Sequence, residues 1–105
     1  AHWIVPAFPS DFRDVDPRDL RAPPSRPQAD PIKLARHIAQ FGSSTAGMPP
    51  IIVYEGVDGV LVIYNGVTRA ARIARLSPGT LVRVEVIGRL RRKFGWALKI
   101  GDMKP

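Results

Sequence analysis

The chain contains no cysteine. That excludes disulfides, thiolate zinc sites and thiol nucleophiles, and it leaves the redox compartment open. Acidic residues are scarce, nine against sixteen Lys and Arg. Histidine occurs only at His2 and His37. No dense metal-ligand motif can be assembled from so few side chains. No apolar run approaches the roughly 20 residues of a membrane span, and no signal peptide is legible. The chain begins at Ala1 rather than Met, so a piece cut from a larger protein is expected.

What is present is charge, unevenly spread. At 105 residues and 45% hydrophobic content, the chain can build one domain with a modest core. Eleven prolines and nine glycines imply many turns. Residues 1–30 carry four arginines and five aspartates, and residues 31–60 balance. Residues 61–105 carry ten Lys and Arg against Glu85 and Asp102. The whole net charge of +7 therefore lies in the last part of the chain, which favours a polyanionic partner. A solubility surface, or a patch for an acidic protein, would carry the same charge.

Residues 1–10 read as a short edge strand or a packed arm. Residues 11–30, rich in Asp, Arg and Pro, read as a loop, because Pro23, Pro24 and Pro27 suit neither helix nor sheet interior. We therefore divide the chain into an arm and loop over 1–29 and a domain with a basic tail over 30–105. Asp30-Pro31 is a good helix start, with Leu34, Ala35, Ile38 and Phe41 on one face and Gly42 as the stop. Ile51–Tyr54 and Val60–Tyr64 read as strands joined by a turn with Asp58-Gly59. Residues 67–76 read as a second helix with Arg69, Arg72 and Arg75 on its outer half. Leu81–Ile87 alternates Val82, Val84 and Val86 with Arg83 and Glu85, so a strand is expected, broken by Gly88. Phe94, Trp96, Leu98 and Ile100 alternate with small or polar residues, which suggests a last strand. The fold class is α+β: a mixed sheet of about four to five strands with two or three helices.

The most informative stretch is LVIYNGVTRAARIARL at 61–76. A strand that stops at Gly66 and opens a helix aims free N–H groups and a positive dipole end at one spot. Arg69 reaches the same spot and can clamp phosphate with two parallel N–H bonds; as a surface arginine it would pair with an aspartate. Gly66 lets backbone approach a phosphate, or is a turn glycine. Thr68 donates to phosphate or caps the helix. Asn65 holds a phosphate oxygen or a metal-bound water, or caps locally.

The order of helix, Pro-Pro loop, hairpin, glycine corner, helix, Pro-Gly turn and strand resembles the ParB amino-terminal domain of the ParB/sulfiredoxin superfamily. Three segments carry the resemblance. Gly47-Met48-Pro49-Pro50-Ile51-Ile52-Val53 is similar to the family's G-x-x-P-I-x-V entry into the sheet. Asn65-Gly66-Val67-Thr68-Arg69-Ala70-Ala71 is similar to its (D/N)-G-x-x-R-x-x-A box, and Leu76-Ser77-Pro78-Gly79 to the turn that follows. The match covers about residues 30–88. It implies binding of nucleotide triphosphates or nucleic-acid phosphates, and nuclease activity as in several members. Thr68 stands where sulfiredoxins need cysteine, which excludes sulfinic-acid reduction. No helix-turn-helix follows residue 88, which argues against centromere recognition. Asn65 replaces a common Asp and so removes one possible metal or base carboxylate.

The expectation is a ParB-like nuclease acting on nucleic acid, DNA favoured. A stand-alone domain of this kind resembles the toxic tip of a bacterial polymorphic toxin, carried out by a large secreted protein to act in a target cytoplasm and matched by an acidic immunity protein. A non-catalytic nucleotide- or DNA-binding module is the alternative. Phosphodiester cleavage needs a proton-transfer group and charge stabilisation. His37 is the best base by type, or else a half-buried helix histidine, and His2 reads as a spectator. Glu85 lies on the polar face of its strand and is a further carboxylate candidate, while Asp58 reads as a turn residue. The metal is left unassigned, with Mg²⁺ open. Arg72, Arg89, Arg91, Arg92 and Lys93 are expected on nucleic-acid phosphates; Phe94 and Trp96 beside them offer a stacking surface or sit in the core, and the expectation is that they are packed.

Overall fold

The computed structural model describes residues 4–103; His2 lies outside them. The helix α1 (Pro31–Phe41) starts where its sequence says it should. Asp30 Oδ1 accepts the N–H groups of Ile32 and Lys33, at 2.9 and 3.2 Å. Gly42 closes it at φ 56°. The hairpin strands β2 (Ile51–Glu55) and β3 (Leu61–Asn65) follow, then α2 (Val67–Leu76) and β4 (Val82–Leu90). An N-terminal strand, β1 (Ile4–Val15), completes a four-stranded sheet in the order β1-β4-β2-β3. The β2–β4 pairing is parallel and the others are antiparallel. The protein is thus α+β with a mixed sheet. No helix among the described residues is long and apolar enough to cross a membrane.

One face of the sheet carries the core. Ile51, Val53, Ile63, Val82, Val84 and Val86 meet Val67, Ala70, Ala71 and Ile73 of α2, and Leu34 of α1 joins the same cluster. Each fully buried Ile or Val contributes about 1.5–3 kcal/mol. The alternation expected in β4 holds: its three valines are buried while Arg83 is exposed.

Three local readings are corrected. Residues 11–15 are strand rather than loop, paired with Val82–Val86. An edge strand needs partners on one side only, so charged residues fit there, and Arg13 finds Asp11 and Glu55. Gly88 does not break β4. It sits opposite Pro6 and Tyr54 beside a register shift, where an irregular ladder tolerates glycine. The tail forms no last strand. Lys99 makes a single bridge to Arg21, and a 3-10 turn spans Ile100–Asp102. Side chains have taken the backbone groups that a ladder would use. Asp58 Oδ2 accepts the N–H groups of Phe94 and Gly95, and Arg21 Nη1 donates to the carbonyls of Gly95 and Ala97. The segment before α1 also enters the core, through Leu20 and Ala22.

Candidate functional site: the cleft at the start of helix α2

β3 delivers Asn65 to the mouth of a cleft of about 580 Å³. Gly66 then turns the chain into α2 with φ 120° and ψ 22°. Only glycine suits this corner. A Cβ there would lie 3.0 Å from Arg69 Nη2 and 3.1 Å from Ile51 Cγ2, in a backbone region that side chains disfavour. No side chain caps the helix, so its first N–H groups have no partner within the helix. They join the positive end of the dipole.

Arg69 occupies this corner half-buried. Its Nη2 donates to the carbonyl of Pro50 at 3.1 Å, and its Nε is buried without a partner. No carboxylate touches it among the described ion pairs. Burial pulls its pKa below the ordinary arginine value, yet a guanidinium stays charged. A desolvated cation bound only to a neutral carbonyl is stabilised by any anion that reaches it.

The cleft brings together His37, Asn65, Gly66, Thr68 and Arg69. It adds Arg26, Gln28 and Lys33, which the sequence reading had not singled out. Lys33 was findable: Asp30 as cap fixes it in the first turn of α1. Arg26 carried no signal, because it comes from a proline-rich loop whose path depends on the tertiary fold. The one carboxylate lining the cleft is Asp30, already accepting from two α1 amides. Among the described residues no three His, Asp or Glu side chains converge. Asp30 is therefore the single carboxylate the cleft could offer a cation.

The remaining candidates lie elsewhere. Arg72, expected on the outer half of α2, is 2% exposed. Its Nη1 donates to the carbonyls of Gly42 and Ser44 at 2.7 and 2.8 Å, and its guanidinium lies 5.4 Å from the Phe41 ring. It clamps the loop after α1 and is not presented to solvent. Burial lowers its pKa as well. Glu85 pairs in register with Phe12 and Ile52, between Val84 and Val86, which are buried under the helices. Strand alternation therefore puts it on the opposite face of the sheet from the cleft.

Arg89, Arg91, Arg92 and Lys93 lie at the far end of β2. Ile52 pairs with Asn65 at the corner end, whereas Glu55 pairs with Leu61 and Arg89 at the other. Arg89 is spent on Glu55, at 3.2 Å; the other three are exposed. Phe94 is buried, as expected, but Trp96 is 61% exposed. Comparison with protein-family models, curated proteins and solved structures gives no match for this chain.

Proposed function

We propose that this domain is ParB-like and binds nucleic-acid or nucleotide phosphates in the cleft at the start of α2. One observation carries the reading. Arg69, held by a single neutral carbonyl, shares its cleft with the uncapped start of α2 and with Arg26 and Lys33. Backbone N–H groups and a guanidinium in one cleft, whose single carboxylate, Asp30, is the cap of α1, are the donors that a phosphate requires. Gly66 and Thr68 line the same corner, and Asn65 stands at its edge.

Cleavage of the bound phosphodiester is the second reading, favoured by His37 in the same cleft. Histidine can move a proton near neutral pH, and Arg69 with Lys33 would stabilise the charge that develops on phosphorus oxygens. On that reading the domain is the nuclease tip of an interbacterial effector, with DNA as favoured substrate and an acidic immunity protein as partner.

Calorimetry with CTP, ATP and a short oligonucleotide, run beside incubation of labelled DNA and RNA with and without EDTA, tests both readings. Saturable binding that weakens steeply with salt and roughly thirtyfold in Arg69→Ala is expected. Product that disappears in His37→Ala while binding persists would establish cleavage. A flat salt response, or Arg69→Ala binding like the wild type, would end the phosphate reading.

A further inference from the structure

The loop at the far end of β2 presents a rigid aromatic surface. Trp96 is stacked on Phe94 with ring centroids 6.2 Å apart and planes at 29°. Phe94 is buried, and the Arg92 guanidinium lies 5.7 Å from its ring. Arg92 and Trp96 thus both pack against Phe94, and Trp96 is 61% exposed. We propose that Trp96 is a platform on which an unpaired nucleobase stacks, so that this end of the domain binds single-stranded nucleic acid.

Three features suit it to that task. The ring is fixed in place: the Trp96 indole N–H donates to the Lys93 carbonyl at 2.8 Å. Its donor is therefore already satisfied, and covering the ring strands no polar group. The loop itself is stapled down. The Val57 N–H donates to the Arg92 carbonyl, and Asp58 holds the amides of Phe94 and Gly95. Gly56 lets these segments meet, since a Cβ there would sit 2.7 Å from the Arg92 carbonyl oxygen and 2.9 Å from Phe94 Cδ2. A pre-positioned aromatic loses little freedom when a ligand covers it. Finally, Arg91, Arg92 and Lys93 are exposed and make no ion pair among the described residues. They stand ready for the phosphates of the strand that carries the base. Duplex DNA offers such cations its backbone but keeps its base faces stacked, so the platform selects single strands.

This site shares with the α2 cleft only the class of partner, and it lies at the opposite end of β2, so each can fail alone. The test uses Trp3→Phe protein, which leaves Trp96 as the one tryptophan. Its emission is followed on titration with a single-stranded oligonucleotide, the same sequence as duplex, an abasic oligomer, and vesicles of phosphatidylcholine with and without phosphatidylserine. The single strand should quench Trp96 and bind tighter than the duplex; the abasic oligomer should bind without quenching. In the Trp3→Phe background, Trp96→Ala, followed by calorimetry, should weaken the single strand about tenfold, the scale of one base–aromatic stack, and Trp96→Phe should restore most of that. Quenching should survive Arg69→Ala, which separates this site from the cleft. Equal affinity for duplex and single strand without quenching would overturn the proposal. So would a blue shift confined to phosphatidylserine vesicles, which would make the loop a lipid-facing surface.

Discussion

Arg13 and Arg89 at one end of the sheet and Arg69 and Arg72 at the other are treated in opposite ways. At the Glu55 end, Arg13 meets Asp11 at 2.8 Å and Glu55 at 2.9 Å, and Arg89 meets the same Glu55. The Arg13 hydrogen bond, more than any other contact, holds both carboxyls below their ordinary range. At the Asn65 end, Arg69 and Arg72 bind only backbone carbonyls and the Met48 sulfur, and each keeps a buried Nε without a partner. Paired arginines complete a structure. Arginines held by neutral groups leave a field that an external anion can satisfy. Arg21 is likewise held by the Gly95 and Ala97 carbonyls and Arg72 is sealed inside, so it is the open cleft in front of Arg69 that singles out the site.

Substitutions can break the contrast, and the largest effect belongs to the most buried cation. Arg72→Leu leaves the Gly42 and Ser44 carbonyls without their donor and should destabilise by about 3 kcal/mol, read by urea denaturation. A change below about 0.5 kcal/mol would deny Arg72 its role as clamp. Arg69→Ala should act on binding instead: loss of charge-assisted bonds worth about 2 kcal/mol weakens phosphate or oligonucleotide roughly thirtyfold. Its melting temperature should shift far less than that of Arg72→Leu.

At the paired end the effect is smaller and depends on pH. Folding lowers the pKa of Glu55, so its ion pairs contribute stability at neutral pH that fades as pH falls below about 4.5. Glu55→Gln should cost roughly 1–2 kcal/mol at pH 7 and almost nothing in acid. An equal cost at both pH values would show that packing, not charge, is what Glu55 supplies. Smallest of all is Arg89→Ala. Its side chain is 67% exposed, and exposed pairs contribute only about 0–1 kcal/mol, so thermal melts of variant and wild type should nearly coincide.

The sequence was legible wherever local chemistry decided the outcome. Asp30, Pro31 and Gly42 bound α1, the valine alternation marks β4, and Asn65-Gly66 places the corner. It was opaque wherever distant groups decided. Charges in 11–15 hid an edge strand because their partners, Glu55 and Arg83, lie far along the chain. The period of two in the tail came to nothing because Asp58 and Arg21 captured its backbone. Arg72 looked outward by charge, yet Gly42 and Ser44 supply carbonyls that hold it inside. Both the phosphate corner and the basic run were expected on nucleic-acid phosphates; that they lie at opposite ends of β2 is decided by sheet register.

On the proposed function, the start of α2 binds anions because Arg69 there has no carboxylate partner. An amide-resolved NMR titration with inorganic pyrophosphate tests it most directly. Saturable shifts concentrated at Gly66, Val67, Thr68 and Arg69 are expected, much reduced in Arg69→Ala at the same pyrophosphate concentration. Shifts confined to Arg89–Lys93, with the Gly66–Arg69 amides unmoved, would contradict it.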